Sequence, residues 1–134
     1  MHQALAFRTA GQGLYEITRE VVDAIPRDVV DGQCCVFVRH TSASLVIQEN
    51  ADPTARHDLE RWIRRLVPEG DPLYTHTSEG RDDMPAHVKS ALTATSLTIP
   101  VVDGSLALGT WQGIYLWEHR TAPHARQVLV SVVG

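Results

Sequence analysis

Lysine is almost absent from this chain. Lys89 is the only one, and arginine supplies the other 11 of 12 basic side chains. These residues form no basic run or basic amphipathic stripe, and the net charge is −4. Both features argue against nucleic acid and membrane surfaces as partners. Long hydrophobic runs are missing too, so no transmembrane segment can be drawn. Met1 to Arg8 shows no charged leader before an apolar stretch, so no secretion signal is expected and the chain reads as cytoplasmic. Cysteine is confined to the neighbours Cys34 and Cys35. A bridge between adjacent residues is strained, and on a strand the two thiols point to opposite faces. They read as two small core or interface side chains. Internal repeats, low-complexity tracts and linkers are also lacking. What remains is ordinary for a globular protein: 134 residues, 43% of them hydrophobic, enough for a single domain over 1–134 with one core.

The order of patterns predicts an α+β domain, a mostly antiparallel sheet with two to three helices packed on it. His2 to Thr9 reads as a first strand. Thr18 is placed to cap a short helix carrying Val21, Val22 and Ile25, which Pro26 ends. Strands are expected over 34–39 and 43–49. Asp52-Pro53 then opens the best helix, with Ala55, Leu59, Trp62, Ile63 and Leu66 at helical spacing. A loop with His76 leads to a short helix over 85–93. Strands over 97–102, 106–108, 110–118 and 127–133 complete the chain.

Glu79-Gly80-Arg81-Asp82-Asp83-Met84-Pro85-Ala86-His87 packs three acids, an arginine and a histidine in front of an apolar segment. Pro85 suits a helix's first turn, so the acids sit at a helix mouth. Taken alone, the stretch reads as an Asp-capped helix on a solvated surface. A cation held by the carboxylates and His87 is the functional alternative. Four histidines, His40, His76, His87 and His119, fall beside strand ends or polar loops, although their separations match no short zinc signature.

His40-Thr41-Ser42-Ala43-Ser44 places an imidazole and three hydroxyls at a break between strands, where hydroxyls could donate to phosphate oxygens. No G-x-S-x-G elbow marks a serine nucleophile. Asn50 stands in a second polar cluster ahead of the Asp52 cap. Gly109-Thr110-Trp111-Gln112-Gly113 offers either a stacking platform with Gln112 reading a ring edge, or a sheet corner. Beyond it, alternation sets Trp111, Tyr115, Trp117 and His119 on one face of a strand. Gln112, Ile114, Leu116 and Glu118 take the other. An inward Glu118 among aliphatics would have a raised pKa and could act as acid or base.

Together these blocks, with Gln48-Glu49-Asn50-Ala51-Asp52-Pro53 and Glu118-His119-Arg120, resemble the motifs of the YjbQ-like family, often labelled secondary thiamine-phosphate synthase. They run in the family's order across almost the whole chain. The resemblance implies a homotrimer with a divalent metal, zinc foremost and magnesium alongside a diphosphate substrate, near the subunit boundary. It also implies an activity that condenses hydroxymethylpyrimidine diphosphate with a thiazole phosphate, releasing diphosphate. Carried onto this chain, it points to His40, His76 and His87 as metal ligands. Glu118, His119 and Asp83 become the catalytic candidates, Asp83 by orienting the imidazoles. Thr41, Ser42, Ser44, Asn50, Trp111, Gln112 and Arg120 become the small-molecule substrate contacts. A metal-dependent hydrolase of a phosphoester or amide, and a non-catalytic trimeric metal- or metabolite-binding protein, are the competing expectations.

Overall fold

The computed structural model describes residues 1–134. Strand β1 (His2–Thr9) is followed by β2 (Gly13–Glu16), α1 (Thr18–Asp23), β3 (Gly32–Val38) and β4 (Ala43–Glu49). Helices α2 (Pro53–Leu66) and α3 (Asp83–Leu92) come next, then β5 (Ser96–Val102), β6 (Ser105–Leu106), β7 (Gln112–Glu118) and β8 (His124–Val133). The expected α+β class with three helices is what forms. No helix is long and apolar enough to cross a membrane.

Two antiparallel sheets carry the fold. One has the order β1-β8-β3-β5-β6, the other β2-β7-β4. Strand period decides what lies between them. Cys34, Val36 and Val38 of β3 and Val128, Val130 and Val132 of β8 point inward from the larger sheet. They meet Leu45, Ile114 and Leu116 of the smaller one, with Ile17 and Val21 from around α1 closing one end. The opposite face of β7 is also covered. Tyr115 and Trp117 pack with Leu14 against Ile63 of α2, so the amphipathic helix forms a third layer.

Local chemistry explains most boundaries. Asp52 caps α2 by accepting from Thr54 N–H at 2.9 Å, with Pro53 in the first turn. Thr18, expected as the cap of α1, does not cap it. Its hydroxyl donates to Glu16 Oε2 and accepts from Ile114 N–H, both at 2.8 Å, tying the helix start to β7 instead. Helix α3 begins at Asp83, earlier than Pro85, after a turn at Gly80, which adopts φ 106° two residues ahead of the acidic pair. The strand expected over 106–108 is only Ser105–Leu106, the far side of a turn in which Asp103 and Gly104 both have positive φ.

Candidate metal centre

Helix α3 presents Asp83 and His87 one turn apart, so both side chains share a face. The preceding loop brings His76 over the same face. His76 Nε2 lies 2.8 Å from Asp83 Oδ2, and His87 Nε2 lies 3.2 Å from that same oxygen. The three potential ligand atoms fall within 4.8 Å of one another. Glu79 Oε2, on an exposed side chain, is 3.5 Å from His76 Nε2.

The hydrogen bonding of His87 sets its ring between Thr41 and Asp83. Its Nδ1 is 3.1 Å from the Thr41 carbonyl, which assigns the ring proton to that nitrogen. A protonated ring also donates from Nε2 to the Asp83 carboxylate, whereas a neutral one aims a lone pair at that oxygen. A proton or a metal ion between the two atoms satisfies both. The carboxylate is fixed from its other side: Asp83 Oδ1 accepts from Arg120 Nη1 at 2.8 Å, leaving Oδ2 to the imidazoles. Asp83 is buried, and that alone would raise its pKa. The His76 hydrogen bond, the contact with Glu79 and the charges of His87 and Arg120 outweigh burial and hold the carboxyl below its usual value.

The acidic stretch is therefore not a capped helix on a wet surface. Asp82 forms no capping bond. Its Oδ2 accepts from Arg120 Nε and Thr121 N–H, each at 2.9 Å. Arg120 spends a third donor on the Glu79 carbonyl at 2.9 Å. Expected as a phosphate contact, Arg120 instead clamps the helix mouth.

Other expected site residues lie elsewhere or are already engaged. His40 does not join His76 and His87; its Nε2 accepts from Gln127 N–H at 2.8 Å, so that lone pair is spent on β8. Ser42 and Ser44 are buried rather than open to a phosphate. Ser42 Oγ accepts from Arg126 at 3.0 Å, and Ser44 Oγ bonds His119 Nε2 at 2.9 Å. Thr41 is exposed and contributes its carbonyl to His87. Asn50 donates to Glu16 Oε2 at 3.1 Å. Gln112 turns its amide oxygen back to Gly109 N–H at 2.7 Å, and Trp111 stands 63% exposed on the β7 turn.

Glu118 and His119 correct the acid–base expectation. Glu118 is fully buried, which would raise its pKa as foreseen. The hydrogen bonds from Arg126, Thr9 and Arg120 N–H outweigh that and lower it. Thr9 Oγ1 lies at 2.6 Å and Arg126 Nε at 2.8 Å from Oε1, while Oε2 takes Arg126 Nη2 and two backbone N–H groups. This carboxylate is a structural anion. His119 is buried, and its pKa is pushed down to about 3 by burial first and then by the charges of Lys89 and Arg126, against an opposing pull from Glu118. Near pH 7 it is neutral, so it carries no imidazolium proton to give up as an acid. Strand alternation parts Glu118 from Trp117: Trp117 faces the α2 layer and Glu118 the main core.

Arg126 and Thr9 are the residues that the sequence pattern passed over. Arg126 was visible, since it shares strand parity with Val128, Val130 and Val132, and a charge at a core-facing position needs a buried partner.

Comparison with known proteins fixes the family. The description "UPF0047 protein YjbQ-like" matches residues 3–134. The chain belongs to the YjbQ-like family. It is 52% identical over 133 residues to the UPF0047 protein of Synechocystis, covering 98% of this chain and 90% of that one. It is 42% identical over 135 residues to the YjbQ protein of Escherichia coli O157:H7, covering 98% and 96%. A crystal structure from Clostridium acetobutylicum superposes with TM-score 0.88 at 36% identity over 98% of this chain and 99% of that one. One from Thermus thermophilus gives 0.87 at 36% identity, with the same coverage.

These names overturn the expected activity. Relatives are called only UPF0047 or YjbQ proteins, and the Clostridium structure is described as an uncharacterized conserved protein. Neither thiamine-phosphate synthesis nor metal-dependent catalysis, hydrolysis included, attaches to any of them. Within the YjbQ-like chain itself, Glu118, His119 and Arg120 are committed to fixed partners, so the proton-transfer and phosphate roles assigned to them do not stand.

Proposed function

We propose that this YjbQ-like domain binds a divalent transition-metal ion through His76 Nε2, His87 Nε2 and Asp83 Oδ2. The observation that carries the reading is the convergence of His76 Nε2 and His87 Nε2 on one oxygen of Asp83, at 2.8 and 3.2 Å, with the three ligand atoms within 4.8 Å of one another. Ligand atoms around a tetrahedral ion with bonds of about 2.0–2.1 Å are spaced at roughly 3.3 Å. The 2.8 and 3.2 Å separations need only a small outward adjustment to reach that spacing. Two imidazoles and one carboxylate suit zinc first, with manganese, iron and nickel as competitors. They suit magnesium poorly, because it favours all-oxygen shells. The remaining coordination positions take Glu79, water or a small molecule. The function proposed is binding, with no reaction assigned to the ion.

The outer face of the larger sheet supports association between copies of the chain. Phe37, Leu129 and Ala4 lie in one row across it and Gln33 and Val133 in another, with no Asp, Glu, Lys or Arg among them. Sedimentation of the purified protein reads the subunit number directly.

Calorimetric titration with zinc, against a competing chelator, tests the metal reading. One ion per chain is expected. His76→Ala, His87→Ala and Asp83→Asn are each expected to weaken binding by at least tenfold, about 1.4 kcal/mol. His40→Ala is expected to leave binding unchanged. Wild-type protein that takes up no ion, or a loss of binding in the His40 variant alone, overturns the proposal.

A further inference from the structure

Residues 67–82 join α2 to α3 with neither helix nor strand. Connections longer than about 12–15 residues without structure of their own are uncommon in compact domains. From Pro68 to Arg81 no residue is buried, so the stretch draws little hold from the core. Its ties are polar and unevenly placed. Several close on the loop itself: the Tyr74 hydroxyl reaches the Pro68 carbonyl at 3.4 Å, Asp71 accepts from Leu73 N–H at 2.9 Å, and Arg81 meets Glu69 at 3.8 Å. Hydrogen bonds to the body of the domain gather near α3. Arg120 donates to the Glu79 carbonyl at 2.9 Å, Asp83 N–H to the Gly80 carbonyl at 3.3 Å, and His76 Nε2 meets Asp83 Oδ2 at 2.8 Å. Two side chains of the loop, His76 and Glu79, therefore stand beside Asp83 and His87 of α3.

We propose that Glu79 is a fourth protein ligand, so that the ion clips this loop to α3 with two donors from each. The inference rests on His76, Asp83 and His87 holding a metal. Glu79 Oε2 lies 3.5 Å from His76 Nε2, close to the roughly 3.3 Å between donors around a tetrahedral ion. It stands outside the group formed by the other three atoms, on a side chain 63% exposed and free to turn inward. Its backbone is already in place, since the Arg120 guanidinium holds both the Glu79 carbonyl and Asp83 Oδ1. Turning Glu79 toward Asp83 without an ion sets two like charges side by side; a divalent cation removes that opposition. Four protein donors also close a tetrahedral shell, the pattern of structural zinc sites rather than of sites that keep a position open for a reactant. The free energy of binding then goes into ordering a loop that the core does not hold.

Hydrogen–deuterium exchange of the full chain, with and without one equivalent of zinc, reads the clip. Backbone amides across residues 69–81 are expected to exchange about tenfold or more slowly in the loaded protein. Zinc titration of two variants reads the ligand. A direct ligand counts for no less than the outer contacts that contribute about 10–100-fold, so Glu79→Gln is expected to bind zinc about tenfold or more weakly. Glu69→Gln removes the same charge from the same loop and is expected to leave affinity unchanged. Both side chains reach solvent, so neither change threatens the fold. If wild type binds one zinc but loop exchange does not slow, the clip is overturned. Equal affinity in the two variants likewise removes Glu79 from the shell, and either result leaves the three-ligand site standing. Wild type that binds no zinc overturns the site and the clip together.

Discussion

Asp83 divides its two oxygens between opposite partners: Oδ1 receives Arg120 Nη1 at 2.8 Å, while Oδ2 is turned toward His76 Nε2, also at 2.8 Å. The arginine therefore sets the direction of a carboxylate it does not share with the proposed metal. Groups that orient a ligand in this way commonly contribute about 10–100-fold to metal affinity. Arg120→Met is expected to weaken zinc binding by about tenfold or more while leaving one site per chain. Titration of the variant at constant pH checks it, and unchanged affinity would show that Asp83 needs no such anchor.

The Glu118–Arg126 pair lies in the core beside Thr9 and Ser42. Removing one partner strands the other charge without solvent, which typically costs about 3–5 kcal/mol. Arg126→Met should therefore lower the urea midpoint severely, and the double variant Arg126→Met, Glu118→Leu should recover much of the loss. If the double variant is no more stable than the single one, shape rather than charge is what the pair provides.

His119 gives stability a defined pH dependence. Its folded pKa of about 3 lies below the usual histidine value near 6.5. Above pH 6.5 neither folded nor unfolded chain is protonated there, and the group contributes nothing. As pH falls from about 6.5 toward 3, only the unfolded chain takes up the proton, so stability is lost across that window and the loss is complete below about 3. Between pH 7 and pH 5 the cost is roughly 2 kcal/mol. Chemical denaturation of wild type and His119→Gln at both pH values should show a steeper fall in wild type by that amount. Parallel falls would place the proton elsewhere.

Trp111 and Trp117 stand on the same strand or its approach and differ in setting: 63% against 4% exposed. Trp117→Ala is expected to cost about 3–5 kcal/mol through the cavity left against Ile63 and Leu14. Trp111→Ala should change stability by no more than about 0.5 kcal/mol. Equal effects in thermal or urea unfolding would contradict the layered packing of β7 against α2.

Much of the fold could be read along the chain because its elements announce themselves locally. The Asp52-Pro53 start of α2 and the alternation of β7 needed no tertiary knowledge. The site was only half legible. Asp83 and His87 are four residues apart on one helix, so their meeting follows from helical period, but His76 arrives through a loop whose path the sequence does not declare. Thr18 and Asp82 looked like helix caps, yet each was claimed by a partner far along the chain, Asp82 by Arg120 and Thr18 by Ile114. Glu118 was expected to be a proton carrier because its apolar neighbours were visible, whereas its pairing with Arg126 depends on β7 and β8 meeting across the core.

One coordination shell carries the proposed function. X-ray absorption at the zinc edge of stoichiometrically loaded protein should show imidazole scattering from two rings and a carboxylate oxygen. The ring contribution should fall by half in His76→Ala and likewise in His87→Ala. A spectrum with sulfur ligands, or with imidazole scattering undiminished in both variants, would place the ion at some other site and leave His76, Asp83 and His87 as a hydrogen-bonded cluster alone.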